Sequence, residues 1–256
     1  MNIITKIMIM IMAISLVACG GSGKTRKSQM EDSRQAASIN VQLASGYINR
    51  GQLEVAKEKL LKAIELDDEY VPAYTTMAVL MNRLGEYEEA EDFYHQALDL
   101  NSDNPELRNN YGTFLCQHNK IDEAIEQFNK ALNNQFYVTP AVAHANLGYC
   151  MLRSSKPNYK LIEAHLRKSL EVDPHMRSSL MAMGDLGIKT RRYLMARAYM
   201  QRYHAITRPS ADSLWLQIQA EKALGDKKHF MKLSSQLIND FPNSAEAAKV
   251  KGLIYK

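Results

Sequence analysis

A period of 34 residues runs through the chain from residue 37 to about residue 242. The first copy, Ala37–Tyr70, carries Leu43, Tyr47, Gly51, Ala56, Leu60 and Ala63. The second, Val71–Asn104, carries Tyr74, Met77, Ala78, Gly85, Tyr87, Ala90, Tyr94 and Ala97. The third, Pro105–Val138, carries Tyr111, Gly112, Leu115, Ala124, Phe128 and Ala131. The fourth begins near Ala141, with Leu147, Gly148 and Met151, and takes two extra residues around Ser154–Asn158 before Ile162, Leu166 and Ser169. The fifth, Arg177–Ser210, has Met183, Gly184, Tyr193, Ala196 and Met200; the sixth begins at Ala211, with Leu214, Gly225, Phe230 and Leu237. A unit this short cannot bury its own apolar face. The chain must therefore fold as a stack in which each copy covers the next.

The apolar positions recur at helical spacing, and no alternating strand pattern interrupts them. Each copy reads as two antiparallel helices. Small residues such as Ala90, Gly112, Ala124 and Gly148 let helix backbones approach, and Tyr94, Phe128 and Leu166 fill the gaps between them. Gly51 and Gly85 fall where the two helices turn, at positions suited to positive φ. Pro72, Pro105, Pro174 and Pro242 mark junctions between copies. This small-and-large pattern resembles the tetratricopeptide repeat. Copies five and six depart from it, with Tyr203 where a small residue is usual and Phe230 where alanine is usual. The resemblance implies an all-α, right-handed superhelical solenoid of about six helix pairs. Ser244–Tyr255 is expected to form the terminal helix that covers the last apolar face.

The first residues read as an address. Lys6 precedes an apolar run from Ile7 to Val17 that is too short for a typical transmembrane helix. Leu16-Val17-Ala18-Cys19 resembles a bacterial lipobox, which implies cleavage before Cys19 and acylation of its thiol. Gly20 after the cysteine, where a retention signal would place Asp, resembles outer-membrane sorting on the periplasmic side. The expected organisation is a signal over residues 1–18, a flexible tether over 19–36 and the repeat domain over 37–256. Gly21-Ser22-Gly23-Lys24-Thr25 imitates the end of a phosphate loop, but it follows a removable signal and not a buried strand, so nucleotide binding is not expected.

Composition narrows the function classes. A net charge of +4 is too mild to argue for nucleic acid. The seven histidines show no metal-ligand spacing, and the paired carboxylates Asp67-Asp68 and Glu88-Glu89 sit at helix ends, where solvated charge is usual. No catalytic constellation, cofactor, metal or small-molecule substrate is expected. His144 reads as a lone surface histidine. Cys116 and Cys150 lie on the first helices of adjacent copies. A disulfide is chemically possible in an oxidising periplasm, but packed helix axes stand about 8–10 Å apart while a bridge needs Cα atoms within about 7 Å, so two buried free thiols are the expectation and a bridge the alternative.

The first helices of a repeat stack line a groove suited to extended or helical peptides. In that register Asn110 and Asn146 share one position with Gln42. Nearby stand Asn82, Arg83, Asn109, Thr113, Tyr149 and Arg153. Asn amides both donate and accept, so they can grip a peptide backbone without reading its sequence. Tyr149 and Arg153 form an i, i+4 pair.

The lipobox and six such copies, with the runs Asn109-Asn110-Tyr111-Gly112-Thr113-Phe114-Leu115-Cys116 and His144-Ala145-Asn146-Leu147-Gly148-Tyr149-Cys150, resemble the PilF/PilW family of type IV pilus biogenesis lipoproteins. That resemblance implies a pilotin, a non-enzymatic lipoprotein at the outer membrane that binds the pilus secretin and promotes its localisation and multimerisation. An adaptor for β-barrel assembly or for cell-wall enzymes is the alternative.

Overall fold

A computed structural model describes residues 26–254, and no strand occurs among them. The signal, Cys19 and the Gly21–Thr25 stretch lie outside the described residues. Thirteen helices follow one another: α1 (Arg26–Asn49), α2 (Leu53–Leu66), α3 (Val71–Leu84), α4 (Tyr87–Leu100), α5 (Pro105–Gln117), α6 (Ile121–Asn133), α7 (Pro140–Met151), α8 (Tyr159–Val172), α9 (Arg177–Lys189), α10 (Tyr193–Ile206), α11 (Ala211–Ala223), α12 (Lys227–Asp240) and α13 (Ala245–Ile254). They follow in the expected order of six helix pairs and a terminal helix. None of the described helices is long and apolar enough to cross a membrane. The chain divides into two compact units, residues 1–93 and 94–256, with the boundary inside α4.

In residues 1–93, α1 packs on α2 and α3. Ala37, Ala44, Ala56, Leu60 and Ala63 are fully buried there, as are Ala73, Ala78 and Leu80 on α3. Residues 26–36, expected to belong to a flexible tether, are helical and continue α1 backwards. The segment contains neither Gly nor Pro, and Arg34 on it meets the Asp67 carboxylate at 3.0 Å.

In residues 94–256 the packing rule is plain in three consecutive hairpins. A Cβ added to Gly112 would stand 2.9 Å from the Phe128 ring. One added to Gly148 would stand 2.6 Å from Leu166, and one added to Gly184 would stand 2.5 Å from Met200. Phe128, Leu166 and Met200 are all fully buried. The first helix thus gives up a side chain so that a large one from the second helix can lie on its backbone. In the sixth hairpin the same two register positions hold Ile218 and Ser234, both fully buried, so the sizes are exchanged. That exchange explains why the last copy looks degenerate. Here α13 closes the stack: Ala247 and Val250 join Leu214, Ile218, Leu233 and Leu237 in one cluster, with Trp215 and Phe230 packed against it.

Hydrogen bonds replace part of the apolar packing between α10 and α11. Arg197 clasps the buried carboxylate of Glu221, which also accepts from Gln217 at 3.4 Å. His204 lies 3.0 Å from the Gln217 side-chain oxygen and 2.9 Å from the Ser213 hydroxyl. A buried charge is tolerable only when paired in this way.

Five of the six hairpin turns close alike. Gly51, Gly85 and Gly225 take φ of 74°, 88° and 75°, and Asn119 and Arg191 take 62° and 59° at the same point of their copies. Each lets the next N–H reach back to a carbonyl five residues before it, as Glu86 does to Met81 at 3.0 Å and Arg192 to Gly187 at 2.7 Å. The fourth turn lacks this device because the insertion at Ser154–Asn158 supplies another path.

The cysteine expectation is corrected. Cys116 on α5 and Cys150 on α7 form a disulfide, with Cα atoms 5.8 Å apart. Axis separation misled the sequence reading. Cα atoms stand about 2.3 Å off a helix axis, so residues on facing sides come closer than the axes do.

Two predictions follow from this packing. Gly148→Ala should lose about 1–3 kcal/mol in urea unfolding through overpacking. Leu166→Ala alone should lose about 2–5 kcal/mol, and the double variant should lose clearly less than the sum, because the clash disappears with the leucine. Reduction of the Cys116–Cys150 bridge should lower stability by about 2–4 kcal/mol, read as a shift in the urea midpoint with and without reductant.

Candidate partner-binding face

The eight groove residues expected from the sequence fall into both units. Asn82 and Arg83 belong to residues 1–93. Arg83 is exposed on the last turn of α3, and its guanidinium donates to the Ile48 carbonyl at 2.5 Å, satisfying the end of α1. Asn82 beside it is half-buried.

The other six lie in residues 94–256, on α5, on α7 or just past its end. α7 packs directly against α5, α6, α8 and α9, so its exposed side chains have neighbours from three hairpins. Asn109, Thr113 and Asn146 are brought together. The Asn146 amide nitrogen donates to the Asn109 side-chain oxygen at 3.1 Å and to the Thr113 hydroxyl at 3.3 Å. Thr113 in turn donates to the Asn109 carbonyl at 2.9 Å. Asn109 is thereby buried, and both hydrogens of the Asn146 amide are committed to the neighbouring helix. This cluster links α5 to α7, and it leaves the Asn146 side-chain oxygen as an acceptor for a partner N–H.

Arg153 repeats what Arg83 does one unit earlier: it donates to the Cys116 carbonyl at 2.9 Å, next to the disulfide, while remaining exposed. Asn110 and Tyr149 carry the free chemistry. Asn110 is exposed, and Tyr149 presents its ring with 53% of its surface accessible. An aromatic face, an amide and a cation within one register of two packed helices suit an extended peptide better than a small molecule.

Sequence reading missed Asp185. It occupies on α9 the register position that Tyr149 holds on α7 and Thr113 on α5. Burial raises its carboxyl pKa, and Lys189 at 3.9 Å opposes that shift. The signal was available: the spacing from Tyr149 equals that from Gly148 to Gly184. The histidine expectation is also corrected. His144 is no lone surface residue; its Nδ1 lies 3.0 Å from Nδ1 of His165 on α8, inside one hairpin. Among the described residues, no group of three His, Cys, Asp or Glu is placed to hold a metal.

The histidine pair makes the fold acid-sensitive. Burial first, then the proximity of His165 and Lys168, pushes the His144 pKa down to about 4, and burial lowers that of His165 as well. The unfolded chain takes up these protons near the ordinary value of about 6.5. The pair's contribution to stability is therefore complete above that pH and falls away as pH drops toward 4. The urea midpoint should fall between pH 7 and pH 5, and the fall should be shallower in His144→Gln.

Models of the tetratricopeptide repeat match residues 37–70 and 81–147. The chain is 30% identical to the type IV pilus assembly protein PilF of Pseudomonas aeruginosa over 93% of its own length and 94% of that protein's. It superposes on a solved structure of Pseudomonas aeruginosa PilF with a TM-score of 0.77 and 29% identity, covering 86% of this chain and 99% of that one. A structure of PilW, described as a widely conserved type IV pilus biogenesis factor, gives a TM-score of 0.77 and 29% identity over 84% of this chain and 98% of that one. With this identity over nearly the whole of both proteins, the chain belongs to the PilF/PilW family of tetratricopeptide-repeat proteins of type IV pilus biogenesis.

Proposed function

We propose that this protein is a pilotin: a lipoprotein, anchored to the outer membrane through Cys19, that holds a segment of the pilus secretin and promotes its localisation and multimerisation. The observation that carries this reading is the near full-length likeness to PilF, a type IV pilus assembly protein. The exposed Asn110, Tyr149 and Arg153 supply the peptide-binding chemistry. The mechanism couples two parts. The repeat face binds the partner, and the acyl chains confine the complex to one surface, which raises its local concentration there. The protein acts as a scaffold, with no step of covalent chemistry assigned to it.

Deleting the gene should abolish surface pili and leave the secretin as monomers on a mildly denaturing gel. Restoring the chain with Asn110→Ala and Tyr149→Ala should fail to restore multimers while leaving its own abundance unchanged. Normal multimers in the deletion strain would overturn the pilotin reading in favour of an adaptor for another envelope machine. In Cys19→Ser, the membrane association that survives high salt should be lost.

A further inference from the structure

Charge is unevenly shared along this chain. Residues 1–93 hold 10 Lys and Arg against 13 Asp and Glu, whereas residues 94–256 hold 22 against 15. The topology concentrates the surplus. In a stack of helix hairpins, every turn from first to second helix falls on the same edge. In the last three hairpins that edge carries Lys156 and Lys160, then Arg191, then Lys222, Lys227 and Lys228, all exposed. None of these six has an ion-pair partner among the described residues. The carboxylates on the same edge are already engaged. Glu163 holds Arg167 and Arg192, Asp226 holds Arg197 and His229, and Asp185 faces Lys189. The opposite edge is mixed at the corresponding connections, where Asp173, Asp212 and Asp240 stand among the exposed Arg177 and Arg208.

A second feature accompanies the cations. The second helices begin at this edge, and their first turns present apolar side chains to solvent: Leu161 is 44% exposed, Leu194 67% and Met231 48%. A bilayer interface takes both: the phosphates meet Lys and Arg, and the apolar groups enter the headgroup boundary.

We propose that the edge of residues 94–256 formed by the first-to-second-helix turns docks on an anionic lipid surface. This contact is separate from the peptide-binding face and does not depend on acylation. It would set the orientation of the repeat stack against the membrane, which a flexible acyl attachment alone leaves free.

The test uses the chain from residue 19 onward with Cys19→Ser, which retains every described element but neither signal nor acyl group. It is sedimented with vesicles of phosphatidylcholine alone, or of phosphatidylcholine with about one third phosphatidylglycerol, at low and high salt. Binding is expected only to the anionic vesicles, with loss at high salt. The triple variant Lys156→Gln, Lys160→Gln, Arg191→Asn should bind at least about tenfold more weakly; Asn is chosen because it tolerates positive φ, as Asn119 does at the same turn position. Leu194→Gln should also weaken binding, while Lys57→Gln, Lys59→Gln, Lys62→Gln on α2 should not. Circular dichroism verifies that each variant is folded. Absence of binding to anionic vesicles overturns the proposal, as does equal loss in the α2 control. Polyglutamate that binds in preference to vesicles reassigns the edge to acidic polypeptides, which also overturns it. The secretin experiment above is unaffected by any of these outcomes.

Discussion

Phe128, Leu166 and Met200 each lie against a glycine on the neighbouring helix, at distances that leave no room for even a methyl group. The packing of three consecutive hairpins in residues 94–256 depends on that contact. It sets how closely the two helices of a hairpin approach, and hence how far the next hairpin is displaced. Burial of one such large side chain contributes about 1.5–3 kcal/mol. The contact recurs, so the stack gains stability by repetition rather than from one large core. The exchange to Ile218 and Ser234 shows that the rule concerns the summed size across the pair and not the identity of either residue.

Close approach of first helices is what makes the other linkages possible. It brings Cys116 to Cys150 and the Asn146 amide to Asn109 and Thr113. It also lets Arg153 reach the Cys116 carbonyl. These linkages join α5 to α7 by a covalent bond and three hydrogen bonds. The surface that carries Asn110 and Tyr149 is therefore held by more than packing. A preorganised binding face loses less side-chain freedom when it takes up a flexible segment.

Neighbouring residues of the same helix take different places in the packing. Asn109 and Asn110 are adjacent, yet one is buried in the inter-repeat cluster and the other faces solvent. Thr113 and Asp185 share a register position with Tyr149 but differ in chemistry, one hydrogen-bonded into the cluster and one a half-buried carboxylate. The groove therefore changes character from one hairpin to the next, and the turn edge has a charge pattern of its own.

The period in the sequence was enough to settle the helix count, the hairpin boundaries and the fold class, because the spacing of small and large residues is itself the packing rule. Gly51 and Gly85 announced their turns, since positive φ favours glycine; Asn119 and Arg191 did not, because only the shared position in the period reveals them. The tertiary structure alone decided which expected groove residues face solvent and which are consumed in joining helices. It also decided that the cysteines pair and that His144 is not alone, and it placed six exposed cations without ion-pair partners among the described residues on one edge. The physical reason is the same throughout. A local pattern fixes which face of a helix is buried, whereas pairing, charge neighbours and exposure depend on residues more than 30 positions apart that only stacking brings within a few ångströms.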